Sequence, residues 1–229
     1  VAVGNFALDS NTTASNNTAV GYAALDANTT GIQNVAVGAN ALDANTTSNN
    51  NTAVGYSALT ANTTGTRNTA VGTLALQSIT TGTNSTAIGY EALYYSTGSS
   101  NTAVGARCLD ANTTGQQNVA IGEHALGSNT TASNNTAVGT NCLDANTTGT
   151  DCTAVGTEAL GQNTTGNSNT AVGKDTLQAN TTGINNVAVG AYALDGSTTG
   201  YQNVAIGTYS LTSNTTGNNN TAVGYNALG

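Results

Sequence analysis

Charge is scarce in this chain. Lys174, Arg67 and Arg107 are the only lysine and arginine residues, charged residues make up 6% of the sequence, and proline, methionine and tryptophan are absent. Against 11 acidic residues this leaves a net charge of -8. Nucleic acid and anionic membrane surfaces both demand basic patches, so neither is an expected partner. No apolar run is long enough to cross a bilayer and no signal-peptide pattern is present, so membrane insertion of this segment is not expected. His124 is the single histidine, which leaves no partner for a triad or a histidine-based metal centre, and no Gly-x-x-x-x-Gly-Lys stretch offers a phosphate loop. An enzyme is not expected, nor is a cofactor.

Cysteine is also sparse. Cys108 and Cys142 lie two repeats apart, about 9–10 Å at strand spacing, whereas a disulfide needs Cα atoms within roughly 7 Å. Cys152 falls on a different column. The three are read as small, semi-buried residues.

What the sequence has is a period. A Val-Gly or Ile-Gly pair places glycine at Gly4, Gly21, Gly38 and onward to Gly224, in steps of 17 with one step of 16 between Gly89 and Gly105. The unit reads Asn-(Thr/Val)-Ala-(Val/Ile)-Gly-x-x-Ala-Leu-x-x-Asn-Thr-Thr-Gly-x-x, numbered here as positions 1 to 17. A disordered low-complexity chain has no reason to return leucine at position 9 in every copy, from Leu8 to Leu228. Helical repeats need about 33 or more residues, and glycine and β-branched residues disfavour helix. The reading is all-β: a parallel β-solenoid, of the β-roll or β-helix kind, with about fourteen coils of 17 residues, each of two short strands and two turns, over one array spanning 1–229.

Alternation along the strand puts positions 2 and 4 on one side, assigned to the coil interior with leucine closing it from opposite. The expected core ladder is therefore Leu25, Leu42 and Leu59 with Val20, Val37 and Val54. Position 3 then points outward, yet it is alanine in every copy. A column facing water would vary, so Ala19, Ala36, Ala53 and Ala70 are expected to pack against another copy of the chain around a symmetry axis. The core is thin for the backbone it must order, which also favours an oligomer, a homotrimer first.

Two asparagine columns are expected to form ladders, each amide donating to one neighbour and accepting from the other. They are Asn17, Asn34 and Asn51 at position 1, and Asn28, Asn45 and Asn62 at position 12. Asp9, Asp26 and Asp43, at position 10 of consecutive coils, are the one candidate cation site, weighed against plain solvated carboxylates. Tyr22, Tyr56, Tyr90 and Tyr225 at position 6, with Phe6, Tyr192 and Tyr209 at position 7, decorate one turn edge and are the candidate ligand-facing aromatics, suited to stacking on a sugar or a protein receptor. The copy from Ser85 to Ser100 has lost a residue around Tyr94-Tyr95, where a local dent is expected.

At this point the residues carry a resemblance. Asn17-Thr-Ala-Val-Gly21, Asn34-Val-Ala-Val-Gly38 and Asn118-Val-Ala-Ile-Gly122 resemble the core motif of YadA-like trimeric autotransporter adhesin heads. The 17-residue form, as in Asn51 to Gly65, is similar to repeats of bacterial and phage tail-fibre-like proteins. The resemblance covers the whole chain and implies a left-handed, trimeric roll serving as a spacer or binding head. The Leu-x-x-Asn-Thr-Thr-Gly arm departs from the shorter adhesin repeat.

The expected function is a structural or adhesive segment of an extracellular fibre, on a cell surface or virion, without catalysis. The alternatives are an ice-binding solenoid using the threonines of positions 13 and 14, and a carbohydrate-binding stem whose enzymatic domain lies elsewhere. Ten Asn-Thr-Thr sequons begin with Asn11; glycans there would obstruct stacking, which favours a bacterial or viral source. The chain starts inside a repeat at Val1 and stops at Gly229, as expected of a segment of a longer fibre or one that stacks end to end.

Overall fold

The computed structural model describes residues 1–229. Each repeat makes one coil with a single strand, of three residues in all but the first, and the strands follow chain order. They are β1 (Ala2–Val3), β2 (Thr18–Val20), β3 (Val35–Val37), β4 (Thr52–Val54), β5 (Thr69–Val71), β6 (Thr86–Ile88), β7 (Thr102–Val104), β8 (Val119–Ile121), β9 (Thr136–Val138), β10 (Thr153–Val155), β11 (Thr170–Val172), β12 (Val187–Val189), β13 (Val204–Ile206) and β14 (Thr221–Val223). The chain divides into two compact units, Val1–Thr114 and Gly115–Gly229. In the first, β1 to β7 pair in parallel with their neighbours; in the second, β8 to β14 do the same. The same coil is repeated in both.

Register is one repeat: Ala36 lies opposite Ala53 and Val37 opposite Val54. Shortening of the sixth coil changes the spacing but not the register, for Thr86 pairs with Thr102 and Ile88 with Val104. The loss is absorbed in the Thr-Thr arm, where the Thr97 and Gly98 amides both donate to the Thr113 carbonyl at 2.7 and 3.2 Å. Tyr94 and Tyr95 meet edge to face above it.

The second expected strand is replaced by turns. Residues at positions 7, 9 and 17 take left-handed backbone, including every position-9 leucine, with φ near 53° at Leu42 and 54° at Leu59. This conformation costs a non-glycine residue on the order of 1 kcal/mol or more. It persists because the turns are stacked: the Leu42 amide donates to the Ala58 carbonyl at 3.0 Å and the Leu59 amide to that of Ala75 at 3.0 Å. Coil-to-coil hydrogen bonding thus continues outside the strands and leaves few backbone groups unpaired. Position 5 requires glycine on two counts. Gly38 has φ 136°, and a Cβ there would stand 2.4 Å from the Gly55 carbonyl oxygen.

The strand faces are the reverse of the sequence expectation. Ala19, Ala36, Ala53 and Ala70 are fully buried within the single chain. They point into the coil and are not inter-chain contacts, while Val20, Val37 and Val54 stand half-exposed on the outside. Leu25, Leu42 and Leu59 are buried as expected, joined by position-8 residues such as Ala24, Ala41, Cys108 and Cys142. The physical reason is space. A coil this narrow already encloses a leucine and two asparagines, which leaves room at the strand for a methyl group and none for a β-branched side chain.

Candidate functional site

The interior is a hydrogen-bonded device as much as an apolar one. At position 12 the ladder runs side chain to side chain: Asn45 Nδ2 donates to Asn28 Oδ1 at 2.9 Å and Asn62 Nδ2 to Asn45 Oδ1 at 3.2 Å. At position 1 it runs through the backbone. Asn17 Oδ1 accepts the Asn34 amide N–H, and Asn34 Oδ1 that of Asn51, both at 2.9 Å. The Asn17 and Asn28 amide groups both donate to the Gly31 carbonyl, at 2.7 and 3.0 Å, which clamps the arm against the strand. The amide-to-amide ladder expected for position 1 is thus joined by a link to the backbone, and it forms directly in the last coils, where Asn186, Asn203 and Asn220 Nδ2 donate to Asn169, Asn186 and Asn203 Oδ1 at 3.2, 3.2 and 3.1 Å. Sequon asparagines such as Asn28, Asn62 and Asn163 are buried with their nitrogens engaged, so the folded coil withholds them from modification.

The position-10 carboxylates remain on the surface. Asp9, Asp26 and Asp43 form no group able to hold a metal ion, and the Thr60 hydroxyl donates to Asp43 Oδ1 at 2.6 Å. The ladder spacing keeps them one per coil instead of converging them. None of the three cysteines is in a disulfide and all are buried; burial pushes Cys108 and Cys142 up to about 12. Cys142 Sγ donates to the Ala154 carbonyl and Cys152 Sγ to that of Gly166, at 3.2 and 3.3 Å.

Two outer surfaces carry recognisable chemistry. The first is the sheet face itself, where positions 2 and 4 present Thr or Val beside Val or Ile on every full strand. Ile88 and Ile121 are each 41% exposed, Ile206 42% and Val189 37%.

The second is the turn edge of positions 6, 7 and 10. Tyr22, Tyr56, Tyr90 and Tyr225 are exposed as expected. Tyr22 meets Phe6 edge to face at 5.7 Å. Tyr90 lies beneath the Arg107 guanidinium, whose Nε donates to Glu91 Oε2 at 2.9 Å. The Tyr90 hydroxyl, then Arg107, hold the Glu91 carboxyl below its ordinary value, and the hydrogen bond to Glu91 raises the phenol. Farther along, Tyr192 and Tyr209 stack at 5.1 Å with planes 8° apart, and Tyr225 meets Tyr209 edge-on. Lys174 Nζ donates to the Tyr192 hydroxyl at 3.0 Å and pairs with Asp175 at 3.2 Å, contacts that raise the ammonium above its usual value.

On this edge, within the second unit, a notch of about 230 Å³ is lined by Asn141, Asp144, Glu158, Gly161, Gln162 and Gln178. It exists because position 10 of that coil is Gly161, which lacks a side chain between Asp144 and Gln178. Gln178 Nε2 donates to Glu158 Oε2, fixing both. Burial raises the Asp144 carboxyl, with His124 acting in the opposite sense. The notch was not anticipated from the sequence; position 10 is aspartate in six coils and glycine at both Gly127 and Gly161, and what sets the second apart is Glu158, Gln162 and Gln178 around it.

Compared with known proteins, the chain matches no family model, no curated protein and no solved structure. No helix is long and apolar enough to cross a membrane.

Proposed function

We propose that this chain is a rigid structural and adhesive segment of an extracellular fibre, without catalysis, whose copies assemble through the outer face of the sheet. The single observation behind this reading is the pair of β-branched columns at positions 2 and 4, half-exposed in a chain whose position-3 alanines and position-9 leucines are buried in every coil but the terminal ones. Long, flat, apolar sheet faces are association surfaces. Seven strands at about 4.8 Å by roughly 10 Å of width give each unit a face of roughly 340 Å². Each is a little under half of the roughly 800 Å² per partner of a stable interface. The occupant is a second copy of this chain, since its own face offers the same columns, Thr or Val at position 2 and Val or Ile at position 4, at the same 17-residue spacing. A homotrimer is the expected order, in keeping with the resemblance of the Asn-x-Ala-Val-Gly motif to trimeric adhesin heads.

Sedimentation equilibrium tests the assembly. The native chain sediments as an oligomer at micromolar concentration, and a variant carrying Val37→Lys, Val54→Lys, Val189→Lys and Ile206→Lys sediments as a monomer with an unchanged circular dichroism spectrum. A native chain that remains monomeric at tens of micromolar would sink the reading. Ice binding through the arm is less well supported, because position-13 hydroxyls are spent within the stack: Thr29 Oγ1 donates to the Thr46 carbonyl and Thr164 Oγ1 to that of Thr181.

A further inference from the structure

We propose that the notch around Gly161 binds a neutral sugar ring, and that the stacked Tyr192–Tyr209 pair continues the site as a platform for the next rings of an oligosaccharide. This deepens the adhesive part of the reading above. It does not depend on how copies of the chain assemble.

The chemistry of the lining selects the ligand class. Asp144 and Glu158 are acceptors only, whereas the carboxamides of Asn141, Gln162 and Gln178 both donate and accept. Neighbouring hydroxyls on a sugar do the same, donating to a carboxylate and accepting from an amide. An anion would face two carboxylates in a chain of net charge -8. An apolar ligand would strand every one of these polar groups. A bare cation would use the carboxylates and leave the amide donors without a role. At about 230 Å³ the notch is smaller than the roughly 300–1,000 Å³ typical of drug-sized sites, which suits one ring. The Gln178–Glu158 hydrogen bond holds two of its walls before any ligand arrives.

Position 7 links the notch to the aromatic pair. Glu158, Asp175, Tyr192 and Tyr209 occupy that position in four successive coils of the second unit. Glu158 and Tyr192 are thus two coils, about 10 Å, apart, within reach of a short oligosaccharide. Between them Asp175 is held by Lys174, and the Lys174–Tyr192 bond fixes the first ring of the platform. Tyr209, 40% exposed, lies parallel to Tyr192 with Tyr225 edge-on to it, so the cluster offers the exposed rims of its rings as an apolar surface against which a sugar can pack.

The test uses the full chain in isothermal titration calorimetry against maltotriose, cellotriose and chitotriose, with calcium chloride alone as a separate arm. At least one trisaccharide gives saturable binding. Gly161→Thr fills the notch with the residue that Thr60 and Thr212 supply in other coils, so the fold is retained; it weakens that binding about tenfold or more. Tyr209→Ala weakens the trisaccharide while leaving the matching monosaccharide unaffected. The proposal is overturned if none of the three sugars binds, if Gly161→Thr binds as the native chain does, or if calcium alone saturates the site. The four-lysine variant of the sheet face retains the sugar affinity, so a failure here and a failure of the assembly reading are told apart.

Discussion

The two asparagine columns face the same interior and tolerate substitution differently. At position 1, Ser85 and Cys152 interrupt the column without stranding anything: the Ser85 hydroxyl accepts the Asn101 amide at 3.3 Å, and Cys152 Sγ still reaches the Gly166 carbonyl. At position 12 the interruptions are Ile79, Ser96 and Ser197; the Asn112 amide group still reaches the Ser96 hydroxyl at 3.1 Å, whereas Ile79 and Ser197 each leave the preceding side chain short of a donor. Asn62 Oδ1 and Asn180 Oδ1 are buried without a hydrogen bond. The difference follows from what each column must do. Position 1 needs an acceptor for a fixed backbone N–H, which a short side chain can supply. Position 12 needs a donor that spans a full coil spacing to the next side chain, which only the asparagine amide supplies.

That contrast can be broken in order of size. Asn169→Ala removes the acceptor of the Asn186 amide and the donor to Gly183, and is expected to cost about 2–4 kcal/mol in urea unfolding. Asn169→Ser recovers about half. Asn163→Ala, in the other column of the same unit, removes the donor to Asn146 and Gly166 and the acceptor of the Asn180 amide group, but takes no acceptor from a backbone N–H and leaves Asn180 its bond to Gly183, and costs about 1–2 kcal/mol. An equal cost at the two positions would erase the distinction. Ser197→Asn supplies the missing donor to Asn180 and stabilises by about 1 kcal/mol; a loss of stability there would show that the orphan oxygen is not the weak point.

The effect that is smallest at neutral pH, and grows only in alkali, is a pH dependence. The Cys108 and Cys142 thiols are held neutral up to about 12 in the fold, above their value of about 8.5 in an unfolded chain. Their contribution to stability is complete below about pH 8.5 and is lost as pH rises towards 12. At pH 8 the native chain is therefore expected to leave a disulfide reagent unreacted, and to titrate three thiols once unfolded. Immediate native-state labelling would contradict the buried assignment.

Much of this was legible beforehand. The 17-residue step, the glycine at the corner, the leucine at position 9 and both asparagine columns follow from recurrence, because only stacking makes equivalent positions share an environment. The strand orientation did not follow. Alternation separates position 3 from positions 2 and 4 but does not say which side is inside, and hydropathy alone favours valine over alanine. The deciding quantity is the volume left between the leucine arm and the strand, a property of the closed coil. The constancy of Ala19, Ala36, Ala53 and Ala70 did report tight packing; the packing is within the chain itself. The Gly161 notch was illegible for another reason: it arises from a departure from the repeat, and a consensus averages departures away.

The account turns on which strand residues face out and meet another copy. In a background of Cys108→Ala, Cys142→Ala and Cys152→Asn, each a residue found at the same position in other coils, Val54→Cys and Ala53→Cys are to be compared using a short bis-maleimide. The expected result is that Val54→Cys links chains to one another while Ala53→Cys stays unreacted until unfolding. Cross-linking through residue 53, or a residue 54 that reacts freely yet never joins two chains, would contradict it.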